Sequence, residues 1–147
     1  MPTTSAAVLR RSVTALATRA RAERGGDLSL GLVAVLGRVL VEGSLTPGEI
    51  GAQLAMTPQS LTRPLASLES KGLVRRTPDP TDGRGSLIAA TDAGRRAMRA
   101  EMAPRDRWLA EAVTAVCTDE EQELLARAAD VMLRVAAYGD RVVPVEP

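Results

Sequence analysis

Two threonine–proline pairs set eleven residues apart, Thr46-Pro47 and Thr57-Pro58, constrain this chain more than any other feature. Each marks a helix start. In Thr46-Pro47-Gly48-Glu49 the Thr hydroxyl and the Glu carboxylate can satisfy two amides left open at a helix end, with Pro in the first turn where no amide is needed. Thr57 caps a second helix in the same way. The first helix is therefore short, with Ile50 and Leu54 inward and a turn at Ala55-Met56. In the second, Leu61, Leu65 and Leu68 recur at spacings of four and three and form an inner face. Helices joined by so short a turn cross steeply, which leaves the second exposed along one side. Pro64 falls inside that helix, where its missing amide costs about 3 kcal/mol in an ideal interior. The leucine spacing runs through it, so a kink is expected; a helix restarting at Pro64 fits the same pattern.

A hairpin follows. Lys71-Gly72 closes the helix, Leu73 to Arg76 predicts a short strand, and Ser86-Leu87-Ile88 predicts its return. Between them Thr77 to Gly85 holds two Pro, two Asp and two Gly, which is turn chemistry. Helices flank this unit. One is expected over 5–22, ended by Gly25-Gly26, and reads either as packing on its own domain or as shared with a partner. A second over 28–42 is apolar around much of its circumference, as in a helix buried on most sides. After the hairpin, Thr91 caps a long helix to Val116, and Thr118 to Glu121 is another capping box opening a last helix. The tail beyond Tyr138 reads as loose. The expected fold is mainly α with a small β-hairpin wing: a winged helix-turn-helix with N- and C-terminal dimerisation helices. The whole of 1–147 reads as one domain, with 28–92 as the winged part and 5–24 with 93–138 as the helical dimerisation part.

Charge distribution says more than the net charge of +1. Residues 1–24 carry five Arg against one Glu, and residues 118–147 carry three Arg against seven acids. These ends could pair within one chain or between two. Residues 57–96 carry seven basic against four acidic side chains, which suits a polyanion. With no Phe, one Trp and one Tyr, the chain is poorly equipped to stack single-stranded bases. With no His and one Cys it lacks the usual zinc or copper ligands, an internal disulfide, and a Ser-His or Cys-His set for catalysis. Neither a phosphate-cradling Gly loop nor an apolar run long enough for a membrane is present. The expectation is a cytoplasmic protein with no cofactor that is not an enzyme.

A helix capped at Thr57 can point its first amides at a phosphate and enter a major groove about 12 Å wide. Behind the cap, Gln59 can pair with adenine and Arg63 with guanine, while Ser60 and Thr62 can reach bases or phosphates. Such residues are also ordinary solvent-facing ones on any helix; the hairpin after them tips the reading toward DNA. At its tip Arg84 can extend into a minor groove, held by Asp82 two residues away. A solvated turn with a loose ion pair is the plainer reading. Arg75 and Arg76 at the hairpin base can bind phosphates or serve as strand-edge charges.

From Thr46 to Gly94 these residues resemble the MarR family of bacterial transcriptional regulators. The helices of LTPGEIGAQLAMTPQSLTRPLASLESKGLV, the DPTDGR wing and the following LIAATDAG carry the resemblance. The family's wing reads Asp-Pro-x-Asp-x-Arg, then an apolar strand ending at a helix-capping Thr; Asp79, Pro80, Asp82, Arg84, Ile88 and Thr91 match. The helical order on either side agrees, so the likeness covers nearly the whole chain. It implies a homodimer with interleaved terminal helices that binds double-stranded DNA at a pseudo-palindromic operator, usually as a repressor released by a small anionic or aromatic effector. Recognition helices would then lie roughly 34 Å apart. By the same analogy Arg84 is the minor-groove residue, and Gln59, Ser60, Thr62 and Arg63 face the major groove. A winged-helix protein-interaction module without DNA binding is the alternative. Gly83 stands where many members carry Arg, which lowers the wing's charge, and Ala55 stands where the turn often has Gly, which suggests a conformation acceptable to Ala. No Cys lies in the first helix, where some members sense peroxide. Cys117 precedes a capping box, a place for an apolar side chain that staples a helix start, and reads either as a buried structural thiol or as a redox sensor.

Overall fold

The structure is a computed structural model that describes residues 3–23, 25–83 and 85–138. Its elements run α1 (Thr3–Ala22), α2 (Leu30–Glu42), β1 (Ser44–Leu45), α3 (Pro47–Gln53), α4 (Pro58–Ser70), β2 (Val74–Pro78), β3 (Ser86–Ala90), α5 (Asp92–Val116) and α6 (Asp119–Ala136). Helices dominate, with one small antiparallel sheet, in the expected fold class. The chain divides into two compact units, Met1–Asp106 and Arg107–Pro147, the boundary falling within α5.

In the first unit, α2 begins at Ser29, whose hydroxyl accepts the Leu32 amide, and ends at Gly43, whose amide returns to the Val39 carbonyl. It buries Leu32, Val35, Leu36 and Val39. It is not enclosed on most sides as its composition predicts, because Leu30 and Val41 are 60% and 77% exposed. The buried stripe packs with Ile50 of α3, Leu61, Leu65 and Leu68 of α4, and Val74 and Ile88 of the sheet. Burying these aliphatic side chains, at about 1.5–3 kcal/mol each, is what holds the helix pair to the sheet.

The sheet has a third strand that periodicity does not reveal, giving the order β1-β3-β2. Leu45 stands opposite Ile88, and Val74 opposite Ala90. The two-residue β1 is too short to show alternation and exists because β3 offers a free edge. Strand β2 also runs on to Pro78, into the segment whose composition predicts only turn. In α4 the helix continues through Pro64 from Pro58 to Ser70, so the restart does not occur.

The second unit contains the end of α5 and all of α6. Thr118 and Glu121 form the expected capping box, with the Thr118 amide donating to Glu121 Oε2 at 2.9 Å. No residue of α6 is buried. The tail beyond Tyr138 lies outside the described residues. No helix among those described is long and apolar enough to cross a membrane.

Candidate nucleic-acid interface

The site begins with two anchored helix starts. In α3 the Thr46 amide donates to Glu49 Oε2 at 2.7 Å while the Glu49 amide donates to Thr46 Oγ1 at 3.2 Å. The chain then turns back through Ala55 at φ +51°, and the Met56 amide closes onto the Gly51 carbonyl at 2.8 Å. That angle is in the left-handed region, so Ala55 holds a conformation glycine would take more easily, contrary to the expectation of one suited to Ala. The turn delivers Thr57, whose Oγ1 accepts the Ser60 amide at 3.2 Å and lies 2.8 Å from Ser60 Oγ.

With Leu61, Leu65 and Leu68 buried, Thr57, Gln59, Ser60, Thr62 and Arg63 all lie exposed on α4. Their hydroxyls are not equally available. Thr62 Oγ1 donates to the Pro58 carbonyl at 2.9 Å. Its proton is committed, so toward a base edge Thr62 offers an acceptor and a methyl group. Gln59 and Arg63 carry the long polar groups on this surface. Pro64 has no amide for the Ser60 carbonyl one turn earlier, yet the helix stays intact around it.

The wing root separates two residues that the sequence treats alike. Arg75 and Arg76 are adjacent in β2, so their side chains leave opposite faces of the sheet. Arg75 is exposed. Arg76 Nε donates to Glu69 Oε1 at 2.8 Å and its Nη1 donates to Ser86 Oγ at 2.7 Å, tying the end of α4 to both wing strands. At the tip, Thr81 donates to Asp79 Oδ1 twice, from its amide at 2.8 Å and its hydroxyl at 2.7 Å. The Asp79 amide reaches the Gly85 carbonyl at 3.1 Å, and the Gly85 amide the Asp82 carbonyl at 2.9 Å. The Thr81 hydroxyl, then its amide, hold the Asp79 carboxyl below its ordinary pKa. Asp82 is exposed. Arg84, with its expected contact to Asp82, lies outside the described residues.

Between α3, α4 and β2 runs an open groove of about 790 Å³. Pro47, Met56, Leu61 and Leu65 supply apolar wall, and Thr62, Glu69 and Arg76 the polar part. Sequence reasoning missed it. The one available signal was the small residues Gly48, Gly51 and Ala52, which leave room along α3. Among the described residues no cluster of His, Cys, Asp and Glu could hold a metal ion.

Residues 27–85 match the model of the MarR family. An uncharacterised HTH-type transcriptional regulator of Mycobacterium bovis is 37% identical over 106 residues, 72% of this chain and 73% of that protein. The chain belongs to the MarR family. This MarR-family protein is thus an HTH-type transcriptional regulator and not an enzyme. Its fold is similar to that of a transcriptional regulator from Pseudomonas aeruginosa, with TM-score 0.72 and 32% identity over 92% of this chain and 96% of that one. It is also similar to a mutant MarR from E. coli complexed with operator DNA, with TM-score 0.56 and 25% identity over 85% and 93% of the two chains.

Proposed function

We propose that this MarR-family regulator is a cytoplasmic repressor that binds a pseudo-palindromic operator as a homodimer and leaves it when a small molecule binds. The observation that carries DNA reading is α4 itself: a helix with a capped N-terminus, with Gln59, Ser60, Thr62 and Arg63 exposed and Leu61, Leu65 and Leu68 buried. The E. coli relative with operator DNA supports placing those exposed residues in a major groove. In this reading the Thr57 end meets a phosphate, Gln59 and Arg63 read base edges, and Ser60 and Thr62 accept hydrogen bonds or touch thymine methyls. Arg75 neutralises a phosphate beside the wing. By the family pattern, Arg84 enters the minor groove and Asp82 steadies it. Arg76 contributes through the geometry it imposes on α4 and the wing.

The homodimer rests on unpartnered apolar faces. In α6, Leu124, Val131, Leu133 and Val135 are 47–70% exposed, and in α1 Val8, Val13 and Leu16 are 45–48% exposed. Two such faces are covered when terminal helices of two chains interleave, and basic α1 meeting acidic α6 favours that pairing. We assign 28–92 to DNA reading, and 5–24 with 93–138 to assembly, within one functional domain.

For release, the groove beside α4 suits an aromatic effector, whose ring would rest on Met56, Leu61 and Leu65. An anionic group on it would draw Arg76 away from Glu69, an exposed pair worth about 0–1 kcal/mol and so easily exchanged. That exchange loosens the tie between α4 and the wing. The test is binding of the purified protein to the promoter beside its own gene at rising salt. Affinity is expected to fall steeply as released counterions lose their advantage. No binding to any duplex at low salt would point to a protein-interaction module.

A further inference from the structure

Glu101 is the one charged residue that is buried among those described, with 2% of its surface exposed. A buried carboxylate requires hydrogen bonds, and Glu101 Oε1 accepts the Leu28 amide at 2.8 Å. That amide belongs to the connector between α1 and α2, 73 residues away in sequence. The connector lies hard against α5. A Cβ on Gly26 would overlap Glu101 Oε1, and one on Gly25 would overlap the Ala100 carbonyl oxygen and the Pro104 ring. One turn further, Arg105 Nε donates to the Glu23 carbonyl at 3.3 Å. Gly25-Gly26 therefore does more than end α1: it lets the chain approach α5 closely enough to be held by Glu101.

At the start of α5, Thr91 and Gly94 form a second clamp that grips the reading head; Gly94 lies two turns before Glu101 and so on the same side of the helix. Thr91 Oγ1 donates to the Gly72 carbonyl at 2.6 Å, and the Thr91 amide donates to the Leu73 carbonyl at 3.0 Å. A Cβ on Gly94 would overlap that Leu73 oxygen. Gly72 and Leu73 form the turn from α4 into the wing. One stretch of α5 thus holds the root of the DNA-reading elements at one end and the exit of α1 at the other.

We propose that Glu101 is a positioning residue that fixes the direction of α1 relative to the reading head and thereby sets the half-site spacing a dimer accepts. This rests on the dimer reading above, in which the exposed face of α1 packs on a second copy. Freedom in the connector would then become freedom in the separation of the two recognition helices. A change of about 3.4 Å in that separation is one base pair of register. A lock with one acceptor and two glycines in contact holds that register without any residue touching DNA.

The test uses duplexes carrying two half-sites taken from DNA selected by the wild-type protein, at the selected spacing and at one base pair longer or shorter. Glu101→Gln keeps a carbonyl acceptor for Leu28 and is expected to keep wild-type discrimination between spacings. Glu101→Met keeps the volume, removes the acceptor, and is expected to lose discrimination by about tenfold, with thermal melting still cooperative. A folded, dimeric Glu101→Met protein with wild-type discrimination would overturn the proposal. Sedimentation of the same samples separates the two levels: a monomeric wild-type protein sinks the dimer reading itself. If Glu101→Met does not melt cooperatively, amide exchange at Leu28 in the wild-type protein decides. Slow exchange supports the lock, and exchange at the rate of an open amide removes it.

Discussion

Ala55 is the one described non-glycine residue with a positive φ. At such an angle the Cβ of an L residue crowds the next carbonyl, at a cost of roughly 1–2 kcal/mol. Glycine relieves that crowding but gives back about 0.5–1 kcal/mol in chain entropy. Ala55→Gly is therefore expected to stabilise the protein by up to about 1 kcal/mol, read as a higher midpoint in urea unfolding; a lower midpoint would show that Ala sits there without strain. Asp79 acts at the same scale. Its folded pKa is depressed by the Thr81 hydroxyl and amide, so its contribution to the wing turn is present above the unfolded carboxylate pKa. That contribution is lost as pH falls through the folded value. Exchange protection of the Thr81 amide should thus persist to mildly acidic pH and fail only below the usual carboxylate range. Failure near neutral pH would assign the turn's integrity to another group.

At the scale of elements, α4 carries the reading surface and the wing root braces it. The leucine stripe and the Thr57 cap made α4 legible, because both are relations within four residues. Arg63 is exposed on this helix, and Arg63→Ala is expected to cost about 1–3 kcal/mol of operator binding and to relax preference at one base pair. Thermal melting should stay at the wild-type value. Equal losses on every duplex sequence would reassign Arg63 to a phosphate. Arg76 could not be told from Arg75 in sequence: the difference lies in Glu69 and Ser86, which only the packing of α4 beside the sheet brings to one guanidinium. The groove was hidden for the same reason, since its walls come from three elements.

For the whole molecule, α6 poses the sharpest question. No residue of its Leu and Val stripe is buried. Leu124→Glu with Val135→Glu, both on exposed positions, should leave helix content near wild type and convert the proposed dimer to monomer in sedimentation velocity. A dimer that survives both charges would place the interface elsewhere. Operator affinity should fall with the dimer, because a single head gains nothing from the second half-site.

Helix ends, the inner face of α4, the turn at the wing and the charge polarity of the chain were determined by the sequence itself. Caps, prolines and apolar spacing act through neighbours a turn away, so the order of residues is enough to read them. The third strand, the exposed flanks of α2, the difference between Arg75 and Arg76, and the lock between Glu101 and Leu28 were decided by the tertiary structure. Each depends on a partner far along the chain, and a residue's chemistry does not say which distant group folding will bring beside it. Glu101 makes the contrast plain. In sequence it is one more acid among the arginines of a long helix; in the fold it is buried and holds the connector that leads to α1.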